Sequence, residues 1–447
     1  MTTPLTDSPA AALGQEVAAA RVEASPAWLA ARRRIAWDAY EAIPMPSSQR
    51  DEDWRRTDIA TLHPERFTPI DHVDAAVVDA MRAQRDGAAP TAAFAIDSPV
   101  AAPIEGADTL HAQGIIITTL EEAALVHPEL VQRAFSSVRA DESKFVALWN
   151  ALWRGGVFVY VPRGVEALVP VWIAHPAGGD GHAVFPSTVV VLDEGAALTV
   201  IDAYASPTGP AALLSDAMVI LSAARDARLD YNTVQQWGEG VWHIGLQRAV
   251  LDANAKLRFM GVTLGARLQK VWWEVLLEGV GSEADVLGIC FGDGTQHFDH
   301  QSLQAHVGPE TRSNLLLKVA VRDHARSVYG GMIDVAPTAV HADGYVANRN
   351  LLLSQGAKAD SIPRLEIRAN DVKCGHGATA GHVDADQRFY LMARGVPPEE
   401  ASALIVRGFM DDVLDRVPHR GFAELAGTLL DAEIAGGSVT GVAAEAS

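Results

Sequence analysis

Cysteine is nearly absent: the 447-residue chain carries two, Cys290 and Cys374. So few thiols, far apart and behind no export-like leader, exclude a disulfide framework, and each is expected to be free. Cations are scarce as well, with 36 Lys and Arg against 56 Asp and Glu and a formal charge of −20. That balance excludes a nucleic-acid surface, which needs clustered cations to meet phosphates, and it disfavours anionic membranes. Nowhere do 18 uncharged apolar residues follow one another, and the opening MTTPLTDSPAAALGQEV lacks a basic segment leading into an apolar stretch. No membrane interaction is therefore expected, and the chain is expected to be cytoplasmic. No GxxxxGK[ST], HExxH or GxSxG sequence occurs, so the chain is not itself a P-loop ATPase, and neither of those two hydrolase motifs is available to it.

What is present is apolar residue in quantity, 49% of the chain, enough to bury a large core in two or three domains. In SPAWLAARRRIAWDAYEAI, Trp28, Leu29, Ala36, Ala39, Tyr40 and Ile43 recur at helical spacing behind a capping Ser25. After the Pro44 to Pro46 break, DEDWRRTDIATL reads as a short separate element. Residues 1–155 are expected to be helical and then mixed. From Gly156 the texture changes to β-rich runs broken by turn residues, such as GVFVYVPRGV, STVVVLDEGAALTVID and KVWWEVLLEGVGSEADVLGI.

A weak repeat runs through this stretch, a small residue and then an apolar one two positions on. It falls at Ala196 and Leu198, Ala227 and Leu229, Ala255 and Leu257, Ala284 and Val286, and Ser313 and Leu315, with spacings of 28 to 31 residues. A repeat of that length built from strand and turn fits a β-solenoid, and a β-sandwich with regular strands fits it too. Beyond residue 383, Asp384 and Gln387 form a cap-to-third-residue pair opening a helix that Gly395 closes. Two more apolar stripes follow, one through Ala401, Leu404, Ile405, Phe409 and Val413, the other through Phe422 to Leu430.

The chemistry concentrates in DVKCGHGATAGH, where Cys374, His376 and His382 share one short segment. Gly375, Gly377 and Ala380 fit GxGxxA, but no βαβ unit follows, so dinucleotide binding is disfavoured. In an extended segment Cys374 and His376 project from the same face, which suits shared ligation or an acid–base pair. An iron–sulfur cluster takes four protein ligands, mostly thiolates, and two distant cysteines cannot supply them. The chain therefore offers part of a site, with the flanking glycines leaving room for another backbone or a cluster. A second run, QHFDHQSLQAH with His297, His300 and His306, reads as polar residues on the outer face of a strand, and Cys290 reads as a small core hydrophobe.

SIPRLEIRANDVKCGHGATAGHVDADQRFYLMARGV, with NLLLSQGAKAD, SVYGGMIDV and DEDWRRTDI, resembles the SufB/SufD family of iron–sulfur cluster assembly proteins. The resemblance covers most of the chain and is densest from Gly330 to Asp412, with a looser match at Asp51 to Ile59. Within the family it is most similar to SufD: VKCGHGATAG lacks the His-Pro stretch and His-Glu-Ala segment of the SufB pattern, and Gly375 stands where the usual SufD form has serine.

The resemblance implies a mainly β protein, with a right-handed parallel β-helix core over 156–383, an N-terminal region over 1–155 and a C-terminal helical domain over 384–447. It implies a SufB-like partner, or a homodimer when the chain is alone, and a SufC-like ABC-type ATPase docked on Ala401, Leu404, Ile405, Phe409 and Val413. On this reading the chain is no enzyme but a scaffold subunit for a transient cluster of iron and sulfide shared with the partner. His376, with Cys374 beside it, would stand at the shared assembly interface. Whether a flavin takes part is left open by the residues, as are a carbohydrate-active β-helix enzyme and a purely structural subunit. Removal of residues 396–447 is expected to abolish ATPase binding while the β-helix still folds.

Overall fold

The computed structural model describes residues 11–70, 72–99 and 104–436. The opening ten residues, read above for a leader, and the last eleven of the C-terminal domain lie outside them. Residues 157–382 wind into a β-solenoid of about eight turns. Each turn gives one strand to each of two sheets, one of eleven strands and one of nine. Neighbouring coils pair in parallel and in register, as in Leu229 with Leu198 and with Leu257. Two strands from the N-terminal region extend the stack at its start. Ala93–Ile96 pairs parallel with Val171–Pro176, and Ile116–Thr119 pairs antiparallel with Val157–Val161.

The repeat seen in the sequence has a backbone cause. At one corner of successive coils a residue adopts positive φ: Gly195, Asp226, Asn254, Gly281, Glu310, His341 and Asp371. Glycine takes this conformation without strain, and Asp and Asn tolerate it better than other side-chain residues. Each corner N–H before the last coil then reaches the next coil, as from Asp226 to Ala253 O at 2.9 Å and from Asn254 to Val280 O at 2.9 Å. The next residue is small and fully buried at Ala196, Ala227, Ala255, Ser282 and Thr311. Coil length varies, so a repeat of nearly fixed period drifts. Ala284 and Ser313 are not corner residues but extend the ladder of Leu198, Leu229 and Leu257, while Val286 and Leu315 belong to the neighbouring ladder with Val200, Tyr231 and Phe259. All five predicted apolar residues do point into the core. Leu257→Ala is expected to destabilise by about 2–5 kcal/mol in urea unfolding, the usual range for a buried leucine truncated inside packed neighbours.

Helices cover both outer faces. Lys144–Leu152, buried along its whole length, lies with Phe135, Trp149 and Trp153 against Met218, Ile220, Ile244 and Leu246 of the eleven-stranded sheet. Arg33 closes that helix, donating to Ala151 O and Trp153 O at 2.9 Å each while its guanidinium stacks 4.5 Å from the Trp153 ring. Ser25, expected to cap the helix Ala27–Ala42, instead accepts from Arg33 Nε and donates to Arg21 O. On the other face, Pro398–Leu414 and Arg420–Ile434 set Val406, Met410, Val413, Phe422 and Leu430 against Met260, Leu287, Ile289 and Leu316. The expectation that residues 396–447 are dispensable for folding is corrected by this packing. Their removal would strip an apolar sheet face that these helices keep from water.

Candidate functional site

Among the described residues the solenoid ends without a cap. Its last coil consists of Lys358–Ile367 and Lys373–His382, which lie at the ends of the two sheets, each paired only with the strand behind it. Both therefore present an unpaired edge of backbone N–H and C=O groups. Core ladders that are closed one coil earlier are open here. Ile333 and Val335 are fully buried, whereas Leu365 and Ile367, next in the same ladders, are 37% and 44% exposed.

The sequence-predicted pair sits at this open end. His376 follows Val200, Tyr231, Phe259, Val286, Leu315 and Val346 in one inward ladder, so an imidazole terminates a line of apolar core residues. Cys374 terminates the adjacent ladder, above Ser313 and Gly344. The shared face expected of residues two apart is thus present. His376 is exposed and Cys374 half-buried. Burial pushes the Cys374 thiol up, with Asp343 adding to it, so the thiol form persists at neutral pH.

One imidazole behind Cys374 was not anticipated. A Cβ on Gly344 would lie 3.0 Å from His306 Nε2 and 3.5 Å from Cys374 Sγ, so only glycine leaves the two groups this close. His306 is buried and bonded to Thr311 and Ser313 at 2.8 Å each, and burial pulls it down to about 4, which keeps it neutral. The outer-face reading of its run is corrected for His300 and His306, which are inward and buried; His297 alone of the three faces outward. The signal was present in the alternation, since Phe298 shares their parity. Cys290 is a buried core thiol, as expected, and both cysteines are free.

The glycines beside the pair serve packing rather than approach. Gly375 and Gly377 lie on the opposite face of the strand, where a Cβ would meet the Tyr345 ring at 3.6 Å and its hydroxyl at 2.8 Å. His382 is exposed, its Nδ1 3.2 Å from Leu352 O. Among the described residues no three His, Cys, Asp or Glu side chains come together to hold a metal ion.

Next in the chain stands an apolar surface. In the helix Ala385–Met392, whose Asp384 caps Asp386 and Gln387 as expected, no residue is buried; Phe389 is 71% exposed, Tyr390 and Met392 are exposed too, and Leu404 on the following helix is 49% exposed. The predicted docking stripe divides here. Ala401 and Val413 are buried in the chain's own core, Ile405 and Phe409 are half-buried, and Leu404 alone faces out.

Comparison with known proteins covers both regions. The family described as "SUF system FeS cluster assembly, SufBD core domain" matches residues 175–409, and "SufBD protein N-terminal region" matches residues 13–173. A relative from Staphylococcus saprophyticus, described as an iron–sulfur cluster assembly SufBD family protein, is 29% identical over 310 residues, 69% of this chain and 67% of its own. Relatives so described from Staphylococcus epidermidis and Staphylococcus haemolyticus are 28% identical over the same shares.

Proposed function

The chain belongs to the SufBD family of SUF iron–sulfur cluster assembly proteins, and from that premise we propose that it is a SufD-type scaffold subunit, without catalytic activity of its own. It joins a SufB-like subunit, or a second copy when alone, through the open end of the solenoid, and works in the cytoplasm. The observation that carries this reading is the ending of two core ladders in Cys374 and His376 at an uncapped coil. Two donors make half a cluster site, and a cluster of iron and sulfide takes four ligands. The unpaired strand edges are suited to extension by another chain, which would bring the remaining donors alongside. Family membership speaks against the carbohydrate-enzyme alternative.

Within this reading His376 supplies an imidazole open to solvent, able to ligate iron or to move a proton next to a partner thiolate. Cys374 must lose its proton before it can ligate, and an approaching iron centre is what would lower it. The test is co-expression with SufB-like and SufC-like chains, purification without oxygen, and assay of iron, acid-labile sulfide and ATPase. Recovery of this chain without either partner, and without iron or sulfide, would overturn the assignment.

ATP hydrolysis belongs to the SufC-like partner, which we place on the exposed surface of Phe389, Tyr390, Met392 and Leu404. Phe389→Asp combined with Leu404→Asp is expected to cut co-purifying ATPase at least about tenfold, since central aromatic anchors each carry about 2 kcal/mol or more of an interface. The melting temperature should not move, because both side chains already face water. Full ATPase recovery would put the docking surface elsewhere.

A further inference from the structure

A cavity of about 220 Å³ lies between the N-terminal region and the outer face of the eleven-stranded sheet, lined by neither Cys374 nor His376. Its walls are apolar, formed by Trp54, Phe145, Met218, Ile244, Leu246 and Trp272. Exposed Asp53 and Ser143 stand at its edge.

Set into this wall is Asp216, 2% exposed, on a strand whose other outward side chains include Leu214, Met218 and Ile220. Its carboxyl accepts from the Trp149 backbone, while Oδ2 has no partner among the described residues. A buried carboxyl oxygen without a donor costs a few kcal/mol that an apolar residue at this position would not. The fold gives no reason for the acid, and a missing donor does.

The other ionisable groups of the cavity already have partners. Glu142 and Glu274 are both bonded to Arg248, and Lys144 donates to Tyr40 O with its ammonium 3.8 Å from the Tyr40 ring. Apart from Asp216, three of the four lining charges, Asp53, Glu142 and Glu274 against Lys144, are negative. An anion is disfavoured by this lining, and a neutral apolar molecule leaves Oδ2 unsatisfied. We propose that the cavity binds a small organic cation, an ammonium group carried on an apolar or aromatic body, with Asp216 as its counter-ion. The volume is below the about 300–1,000 Å³ of sites for larger ligands, so the body is a single ring or short chain. Burial holds the empty site's carboxyl well above the usual range. Binding a cation ionises it and releases a proton at neutral pH.

Calorimetric titration of the full-length chain with 2-phenylethylamine, 2-phenylethanol and 3-phenylpropionate tests this. The amine is expected to bind at least tenfold more tightly than the alcohol, with the carboxylate silent and with proton release read from buffers of different ionisation enthalpy. Asp216→Asn, close to isosteric, should weaken the amine at least tenfold and end proton release. Ile244→Phe, which fills the cavity without touching charge, should weaken amine and alcohol alike. Absence of saturable amine binding in the wild type, equal binding of the carboxylate, or unchanged amine affinity in Asp216→Asn would overturn the proposal.

Discussion

His376→Ala is expected to leave folding and assembly of the complex intact while lowering its iron and acid-labile sulfide by on the order of tenfold, the scale on which loss of a metal-orienting group acts. The first half follows from exposure: no coil lies beyond His376, so truncation opens no cavity, and surface changes of this kind usually stay within about 0.5 kcal/mol. The second half follows from position. His376 occupies the last place of a ladder whose earlier members, from Ala93 and Val171 to Val346, are hydrophobic, at an end of the solenoid where two strand edges are free. An apolar residue would suit that place if nothing but packing were needed.

Two companions sharpen the result. Cys374→Ser should have the smaller effect, because the thiol is half-buried over Gly344 and pushed up, and so is a poor ligand until something draws its proton away. An effect equal to that of His376→Ala would make Cys374 a ligand in its own right. His382→Ala should be near neutral. Wild-type iron and sulfide in the His376→Ala complex would make this subunit a structural support and move the chemistry to its partner.

The parts of the fold that were legible in the sequence are those set by local pattern. Leu198, Leu229 and Leu257 announced an inward ladder because strand parity is short-ranged, and Asp384 announced its helix because a cap needs only its own next three residues. What the sequence hid depends on packing across distance. Ala284 and Ser313 looked equivalent to Ala196, Ala227 and Ala255 because coil length varies, which only register between coils reveals. The stripe from Ala401 to Val413 looked like a docking face because an apolar stripe reads the same whether a partner or the chain's own sheet covers it. Gly375 and Gly377 looked like room for a cluster, and the cause is Tyr345, thirty residues earlier. DEDWRRTDI was legible as a short separate element and as resemblance, without its role. Its role is to bind the N-terminal region to the later coils, with Trp54 5.8 Å from both Phe145 and Trp272, Lys270 donating to Asp53 O and to Asp299, and Arg364 pairing with Asp53 at 3.2 Å.

Buried imidazoles give the second large expectation, a loss of stability in mild acid that begins well above the carboxylate range. Burial draws His243 down to about 3, with the charge of His175 adding to it, and draws His297 and His300 down to about 4. Each is held as a neutral ring, His243 by Ser215 at 3.0 Å, His297 by Thr57 at 3.0 Å, and His300 by Thr263 and Gln269 at 3.2 Å each. In the unfolded chain the same rings titrate near 6.5. Their contribution is therefore complete above about pH 6.5 and is lost as the pH falls toward 4, because the unfolded chain takes up protons that the folded chain refuses. His306, drawn down to about 4, makes a fourth such group, while Asp216 and Glu433, which burial raises, take up protons in the folded chain and oppose them, so the slope approaches about 3 kcal/mol per pH unit, and two units would consume a large part of a typical stability of about 5–15 kcal/mol. His175 works in the opposite direction. Burial alone would lower it, but Asp202 at 2.6 Å and Asp97 at 2.9 Å more than offset that and raise it to about 9. Its contribution is present below about pH 6.5 and lost as the pH rises through 9, so stability should peak near neutrality. Urea unfolding at half-unit steps from pH 9 to pH 5 measures both limbs, and the fall between 6.5 and 5 reports the imidazoles less the opposing gain from the buried carboxyls Asp216 and Glu433. His300→Gln, able to keep one hydrogen bond without titrating, should flatten that acid limb by about half. A midpoint that does not change between pH 7 and pH 5 would show that these rings take up protons in the folded chain as readily as in the unfolded one.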